Sequence, residues 1–195
     1  MNIIKISVLF SLISFSLVIK ANEPLLPYCF IGDIGEVTET QAKVAKALES
    51  SDCMDIWIPG DIIYPDGLSS SKDPQFNEKF LIPFSGVLNK NKRFFFILGN
   101  HDYKGDPESY IEIAKQNDSI IFPSNYFIHR EEDICFVALD TTIYDKIYMF
   151  YKRGEQINWL KDNFNYLKEN CRLSIAVGHH PLFSSGDRDK GSPQL

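Results

Sequence analysis

Phe94-Phe95-Phe96-Ile97-Leu98-Gly99-Asn100-His101-Asp102 decides how this chain reads. An apolar, aromatic run of strand length ends on a glycine, and side chains that ligate metals or move protons follow at once. The same arrangement recurs three times. Cys29 to Ile31 leads into Gly32-Asp33-Ile34-Gly35, Ile56 to Ile58 into Gly60-Asp61-Ile62-Ile63-Tyr64, and Leu173 to Val177 into Gly178-His179-His180-Pro181. Short apolar runs bounded by turn residues read as buried strands, which places each polar cluster at a strand's carboxyl end. Open α/β sheets collect their ligands at that edge. The four segments therefore point to one dinuclear metal site delivered in pieces.

The rest of the composition bounds the answer. A chain of 195 residues suits one domain with a real core, and 44% hydrophobic with 13% aromatic residues excludes disorder. Net charge of -6, with basic clusters no longer than Lys90, Lys92, Arg93 and Lys152, Arg153, leaves no patch for wrapping a polyanion. No nucleic-acid partner is expected.

Residues 1–21 carry Lys5, an apolar stretch from Ile6 to Ile19, then Lys20 and Ala21. That stretch has the length of a signal-peptide core and falls short of a membrane span of about 20 residues. It predicts a secretory signal cut near Ala21, with an uncleaved amino-terminal anchor as the alternative, and a lumenal or secreted location. No membrane span is expected beyond the signal. Secretion makes Cys29, Cys53, Cys135 and Cys171 candidates for disulfides, in any of three pairings, or for buried structural thiols. Asn117-Asp118-Ser119 is a glycosylation acceptor in that setting.

Strands and helices alternate after the signal. Thr38 and Gln41 have capping-box form ahead of a helix over 42–50. Further helices are expected over 76–88, broken by Pro83, over 107–116, and over 155–170. In the last, Ile157, Leu160, Phe164 and Leu167 form a stripe that reads as core. Residues 126–129 and 134–139 flank Arg130 to Asp133 as a hairpin with a charged turn.

Two cations held close together need a bridging anion, and a carboxylate fixed by a glycine turn, Asp61, can supply it. Asp33 would serve one ion, and Asn100 and His179 the other. Tyr64 adds a phenol that ligates near neutrality only through a strongly acidic cation, which favours Fe(III). Taken singly, Gly-Asp is a common turn and a histidine after a strand an ordinary polar residue. The reading rests on the shared placement of all four.

Gly-Asp-x-x-Tyr, Gly-Asn-His-Asp and Gly-His-x-Pro, in this order, resemble blocks of the calcineurin-like metallophosphoesterases, and specifically the purple acid phosphatases of the tartrate-resistant group. The likeness covers nearly all of residues 26–187, including Phe122-Pro123-Ser124 and Gln156-x-x-Trp159-Leu160. It implies a four-layer α/β/β/α sandwich over residues 22–195. It also implies Fe(III) held by Asp33, Asp61 and Tyr64, and a second divalent ion (Fe, Zn or Mn) held by Asp61, Asn100 and His179. By the same resemblance His101 contacts the substrate phosphate and assists protonation of the leaving group, His180 lines the pocket, and His129 has no catalytic role. The implied activity is hydrolysis of a small phosphomonoester or phosphoprotein by a metal-activated hydroxide, in a secreted or in a lysosomal or vacuolar protein.

Two departures stand out. The family's fifth block, Gly-His-x-His, does not occur in these residues, so the resemblance predicts a sandwich without its last strands, with an unpaired sheet edge and uncovered apolar surface. The segment from Asp140 to Glu155 is also shorter than the activity-restraining loop of mammalian relatives. Beside an acid phosphatase whose sequence here is incomplete stand two alternatives. One is a phosphatase-like scaffold with a partner protein, as the glideosome anchor of apicomplexan parasites illustrates; the other is a metal-binding protein without turnover.

Overall fold

The apolar runs of the amino-terminal half pair side by side, all pointing one way. In the computed structural model, which describes residues 28–145 and 150–181, β1 (Tyr28–Phe30), β2 (Asp55–Pro59), β3 (Arg93–Ile97) and β4 (Ile120–Ile121) form a parallel sheet in that order. The crossovers are α1 (Glu39–Ser50), the pair α2 (Pro74–Phe76) and α3 (Ser85–Leu88), and α4 (Glu108–Lys115). A second sheet takes β5 (Phe127–Glu131), β6 (Ile134–Ala138) and β7 (Leu173–Val177), with an antiparallel hairpin first and a parallel return through α5 (Thr142–Asp145) and α6 (Phe150–Asn170). The expected signal segment and the residues from 182 onward lie outside the described residues, which hold no helix long and apolar enough to cross a membrane.

Alternation along β3 builds the layers. Phe94 and Phe96 point to the helical side, each with its ring 5.1 Å from Phe80. Phe95 points the other way and stacks at 4.5 Å on Trp57, which stacks at 4.9 Å on Phe136 of the second sheet. All these rings are fully buried, and each contributes roughly 1.5–3 kcal/mol through lost water contact. Behind the second sheet, Leu167, Leu160 and Trp159 of α6 cover Cys135 and Val137. The expected α/β/β/α sandwich is present.

Several elements differ from the sequence reading. Thr38 does accept the Gln41 backbone N–H at 3.1 Å, but the Gln41 side chain does not reach back to it. That amide instead donates at 2.7 Å to the carbonyls of Ile34 and Lys79, tying α1 to the next crossover. The expected helix over 76–88 winds as a π-helix over Asn77–Leu81 and stops before Pro83, whose ring cannot continue it. Strand β4 and helix α5 are too short for any periodic signal. Lys92, read as part of a basic surface cluster, is buried; its Nζ donates to the Leu48 and Ser51 carbonyls at the end of α1, and burial lowers its pKa.

The apolar stripe of α6 is the main correction. Leu167 is 9% exposed, whereas Ile157 is 41% and Phe164 63% exposed. The buried face is turned toward Gln156, Trp159 and Leu160, because Gln156 is held by both backbone groups of Asp140 and Trp159 packs on Tyr126. Ile157 and Phe164 are left exposed; among the described residues β7 is the outermost strand of its sheet, and its Leu173 is 44% exposed.

Both disulfides join a strand to the residues entering its neighbour. Cys29 of β1 bonds to Cys53 ahead of β2, and Cys135 of β6 to Cys171 ahead of β7. No cysteine is a free thiol.

The burial pattern of α6 predicts unequal costs. Leu167→Ala should lower unfolding free energy by about 2–4 kcal/mol and Phe164→Ala by less than about 0.5 kcal/mol in urea denaturation. Equal losses would place both in the core. Replacing Cys135 and Cys171 together with alanine opens a bridge between residues 36 apart. It should cost roughly 3–4 kcal/mol by the same measurement.

Candidate metal centre

The parallel register brings three strand ends level. Phe30 lies beside Trp57, Ile58 beside Phe96 and Pro59 beside Ile97, so the turns beginning at Gly32, Gly60 and Gly99 leave the sheet along one edge. Hydrogen bonds then lock the turns to one another. Asp33 N donates to Gly60 O at 3.1 Å, and Tyr64 N donates to Gly35 O at 3.0 Å. The fourth turn enters from the second sheet, where β7 ends at Val177 and delivers His179.

Both candidate carboxylates sit on strained backbone. Asp33 has φ 56° and Asp61 φ 54°, the left-handed region that side-chain-bearing residues avoid at a cost of order 1–3 kcal/mol. Such strain persists where the surroundings over-determine it, and here two glycines show how tightly. A Cβ on Gly60 (φ 92°) would collide with the His179 ring, and a Cβ on Gly99 would collide with the Asp61 carboxylate.

The donors converge. Tyr64 Oη donates at 2.7 Å to Asp33 Oδ1 and lies 2.7 Å from Asp61 Oδ2. The other Asp61 oxygen, Oδ1, accepts the His101 backbone N–H at 3.0 Å and lies 3.6 Å from His179 Nε2. His179 Nε2 is also 3.1 Å from Asn100 Oδ1. Asp33, Asp61 and His179 form a cluster whose ligand atoms all fall within 4.8 Å of one another. Asp61 is buried, Asp33 exposed, and the others are half-buried.

The protons make this set fit a cation. His179 Nδ1 faces the Pro59 carbonyl at 2.9 Å, and a carbonyl only accepts, so Nδ1 carries the hydrogen. Nε2 then turns a lone pair toward Asn100 Oδ1 and Asp61 Oδ1. Three acceptors facing one another is an arrangement that a cation stabilises. On the other side, burial first and then hydrogen bonds to Asp33 and Asp61 hold the Tyr64 phenol well above the usual tyrosine pKa. One proton there stands between two carboxylates, the position a strongly acidic cation would take.

The remaining sequence candidates lie around this cluster. The His101 ring packs on Tyr64 with centroids 4.5 Å apart, and its Nδ1 meets the Pro65 carbonyl at 2.5 Å, which turns Nε2 outward. His180 stands edge-on to His179 at 4.8 Å, and Thr141 holds it through both its backbone N–H and its ring Nδ1, each at 2.9 Å. It borders a groove of about 410 Å³ lined by Leu139, Thr141, Tyr144, Ile157 and Val177. Thr141 was not a sequence candidate, yet Ile134 to Leu139 followed by Asp140-Thr141 repeats the pattern of an apolar run ending in polar side chains. Asn117 lies apart, in the turn after α4, where its Oδ1 accepts the Ser119 backbone N–H at 3.1 Å.

His129 lies at the opposite end of the strands, in a second cluster with Asp55 and Glu131. Arg93 occupies both oxygens of Asp55 at 2.7 Å, so this group is an ionic clasp between the two sheets. Burial lowers the His129 pKa and keeps the ring neutral.

The profile of the calcineurin-like phosphoesterases matches residues 26–195. Purple acid phosphatase 17 of Arabidopsis thaliana is 30% identical over 142 residues, covering 65% of this chain and 42% of that protein. Tartrate-resistant acid phosphatase type 5 of Mus musculus is 25% identical, covering 84% of this chain and 58% of that protein. The chain thus spans about half the length of the curated relatives it matches. Among solved structures, the Plasmodium protein described as GAP50, the anchor in the inner membrane complex, superimposes with a TM-score of 0.74 at 22% identity, over 86% of this chain and 58% of its own. A profile that covers most of the chain, and strand ends that deliver their donors to one edge, agree: the chain belongs to the calcineurin-like phosphoesterases, and its curated relatives are purple acid phosphatases.

Proposed function

We propose that this chain is the metal-binding part of an acid phosphatase that hydrolyses phosphomonoesters, small or carried on proteins. The observation that supports it most is the division of Asp61. One of its oxygens meets Tyr64, which also holds Asp33, and the other faces His179, which also meets Asn100. That arrangement supports a bridging role for Asp61. Asp33, Asp61 and Tyr64 would hold Fe(III), and Asp61, Asn100 and His179 a second divalent ion, Fe, Zn or Mn. When bound, such a pair supplies a nucleophilic hydroxide near neutral pH and neutralises charge on the phosphoryl group.

The chain's own residues do the rest. The Pro59 carbonyl fixes the His179 tautomer. His101, with Nδ1 at 2.5 Å from the Pro65 carbonyl, would hand a proton from Nε2 to the departing alcohol oxygen as the imidazolium, which carries a hydrogen on both ring nitrogens. His180, pinned by Thr141, lines the approach. Two disulfides and the Asn117 acceptor support passage through an oxidising secretory compartment, and so a secreted, lysosomal or vacuolar location.

A second reading is a phosphatase-like scaffold. The exposed apolar band of Ile157, Phe164 and Leu173 supports it, as does the likeness to a protein described as an anchor. One experiment separates the two. The chain loaded with iron and zinc should release phosphate from 4-nitrophenyl phosphate; no turnover together with no uptake of paired ions would favour the scaffold, and two ions bound with no turnover a metal-binding protein.

Within the enzyme reading, Asp61→Ala should lose paired ions in elemental analysis and with them nearly all hydrolysis. His101→Ala should keep both ions and lower kcat by about 10²-fold or more. The iron-loaded chain should be coloured by a Tyr64-to-Fe(III) absorption band. Tyr64→Phe should abolish it, and a band surviving that change would remove Tyr64 from the ligand set.

A further inference from the structure

Asp102 ends the Gly-Asn-His-Asp segment but faces away from the donors, into the protein, where it is fully buried. A carboxylate without water is expensive unless every lone pair is engaged, and here each oxygen is. Oδ1 accepts the backbone N–H groups of Ile62 at 3.0 Å and Ile63 at 3.1 Å, and the Tyr110 hydroxyl at 2.8 Å. Oδ2 accepts the backbone N–H of Gly99 at 2.9 Å and shares that of Ile62 at 3.2 Å.

The positions of those donors carry the inference. Ile62 and Ile63 lie between Asp61 and Tyr64, and Gly99 immediately precedes Asn100. One carboxylate therefore grips both turns from beneath. One turn carries the bridging carboxylate and the phenol, the other carries Asn100 and His101. Tyr110 of α4 presses on the same oxygen that holds Ile62 and Ile63, so a helix behind the sheet braces the clasp. Above it, the two turns are also tied by the His101 N–H on Asp61 and by the His101 ring on the Pro65 carbonyl. We propose that Asp102, braced by Tyr110, is a positioning residue that sets the spacing between the donors of the two ions. This rests on the dinuclear reading above.

The chemistry admits no near substitute. An asparagine would turn an NH₂ group toward backbone N–H donors, and a glutamate would need room for another methylene in a fully packed place. Groups that orient metal ligands from behind typically govern affinity by about 10–100-fold.

The test uses the whole chain and four proteins: wild type, Asp102→Asn, Tyr110→Phe, and Val87→Ala, which opens a cavity in α3 away from the donors. Folding is followed by circular dichroism and melting. Affinity for Zn(II) and Fe(III) is measured by chelator competition, and ion count by elemental analysis. Asp102→Asn should bind ions about 10–100-fold more weakly and Tyr110→Phe by a smaller factor, whereas Val87→Ala should melt earlier yet bind as wild type does. Position of the iron band should shift in the first two only.

Wild-type affinity in folded Asp102→Asn and Tyr110→Phe would overturn the proposal while leaving the dinuclear site standing. So would losses that follow melting temperature across all three variants. Should Asp102→Asn fail to fold, Tyr110→Phe decides. If the wild-type chain takes up no ions, the dinuclear reading falls and the proposal with it.

Discussion

The register of the parallel ladder is the constraint from which the site follows. Parallel strands with matched residues end together, and pairing Ile58 with Phe96 and Pro59 with Ile97 brings the turns that begin at Gly60 and Gly99 out side by side, with Gly99 against Asp61. A slip of one residue would turn Phe94 and Phe96 away from the helices and displace Asp61 relative to Asn100. The stacked rings of Trp57, Phe95 and Phe136 make such a slip costly, because each is buried between the two sheets. Core packing and donor spacing are thus one constraint seen from two ends of the same strands.

At the carboxyl edge the chain accepts local cost. Two aspartates adopt left-handed backbone, two glycines leave no room for a side chain, and His179 Nε2 faces both Asn100 Oδ1 and Asp61 Oδ1. No helix or sheet needs any of these features. Together they describe a surface that a bound cation would stabilise, the ordinary compromise of a metal site. At the amino edge of the same strands the opposite holds. Arg93 pairs with Asp55 and Glu131 and so ties the sheets together, with the neutral His129 ring beside them.

The flank of the second sheet behaves differently from the core. Helix α6 lies against Cys135 and Val137 with Trp159, Leu160 and Leu167, while Ile157, Phe164 and Leu173 face outward. A helix with apolar residues on more of its circumference than one sheet can cover has a second surface to bury. The groove beside His180 opens on that flank, next to the site.

Much of this was legible from residue order. Four apolar runs with glycine and polar side chains behind them determined the strands and the edge at which Asp33, Asp61 and His179 come together, because the alternation and the turn chemistry are local. Helix positions followed from periodicity and caps, to within a few residues. Tertiary structure alone decided what depends on distance between remote segments. It paired Cys29 with Cys53 and Cys135 with Cys171, since adjacency of strands is not written in spacing. It turned the buried face of α6 toward Trp159, since Gln156 is anchored by Asp140 of another element. It divided Asp61 between two donor sets, and it placed Asp102 beneath both turns. A side chain's type is a property of the sequence; which groups it faces is set by packing.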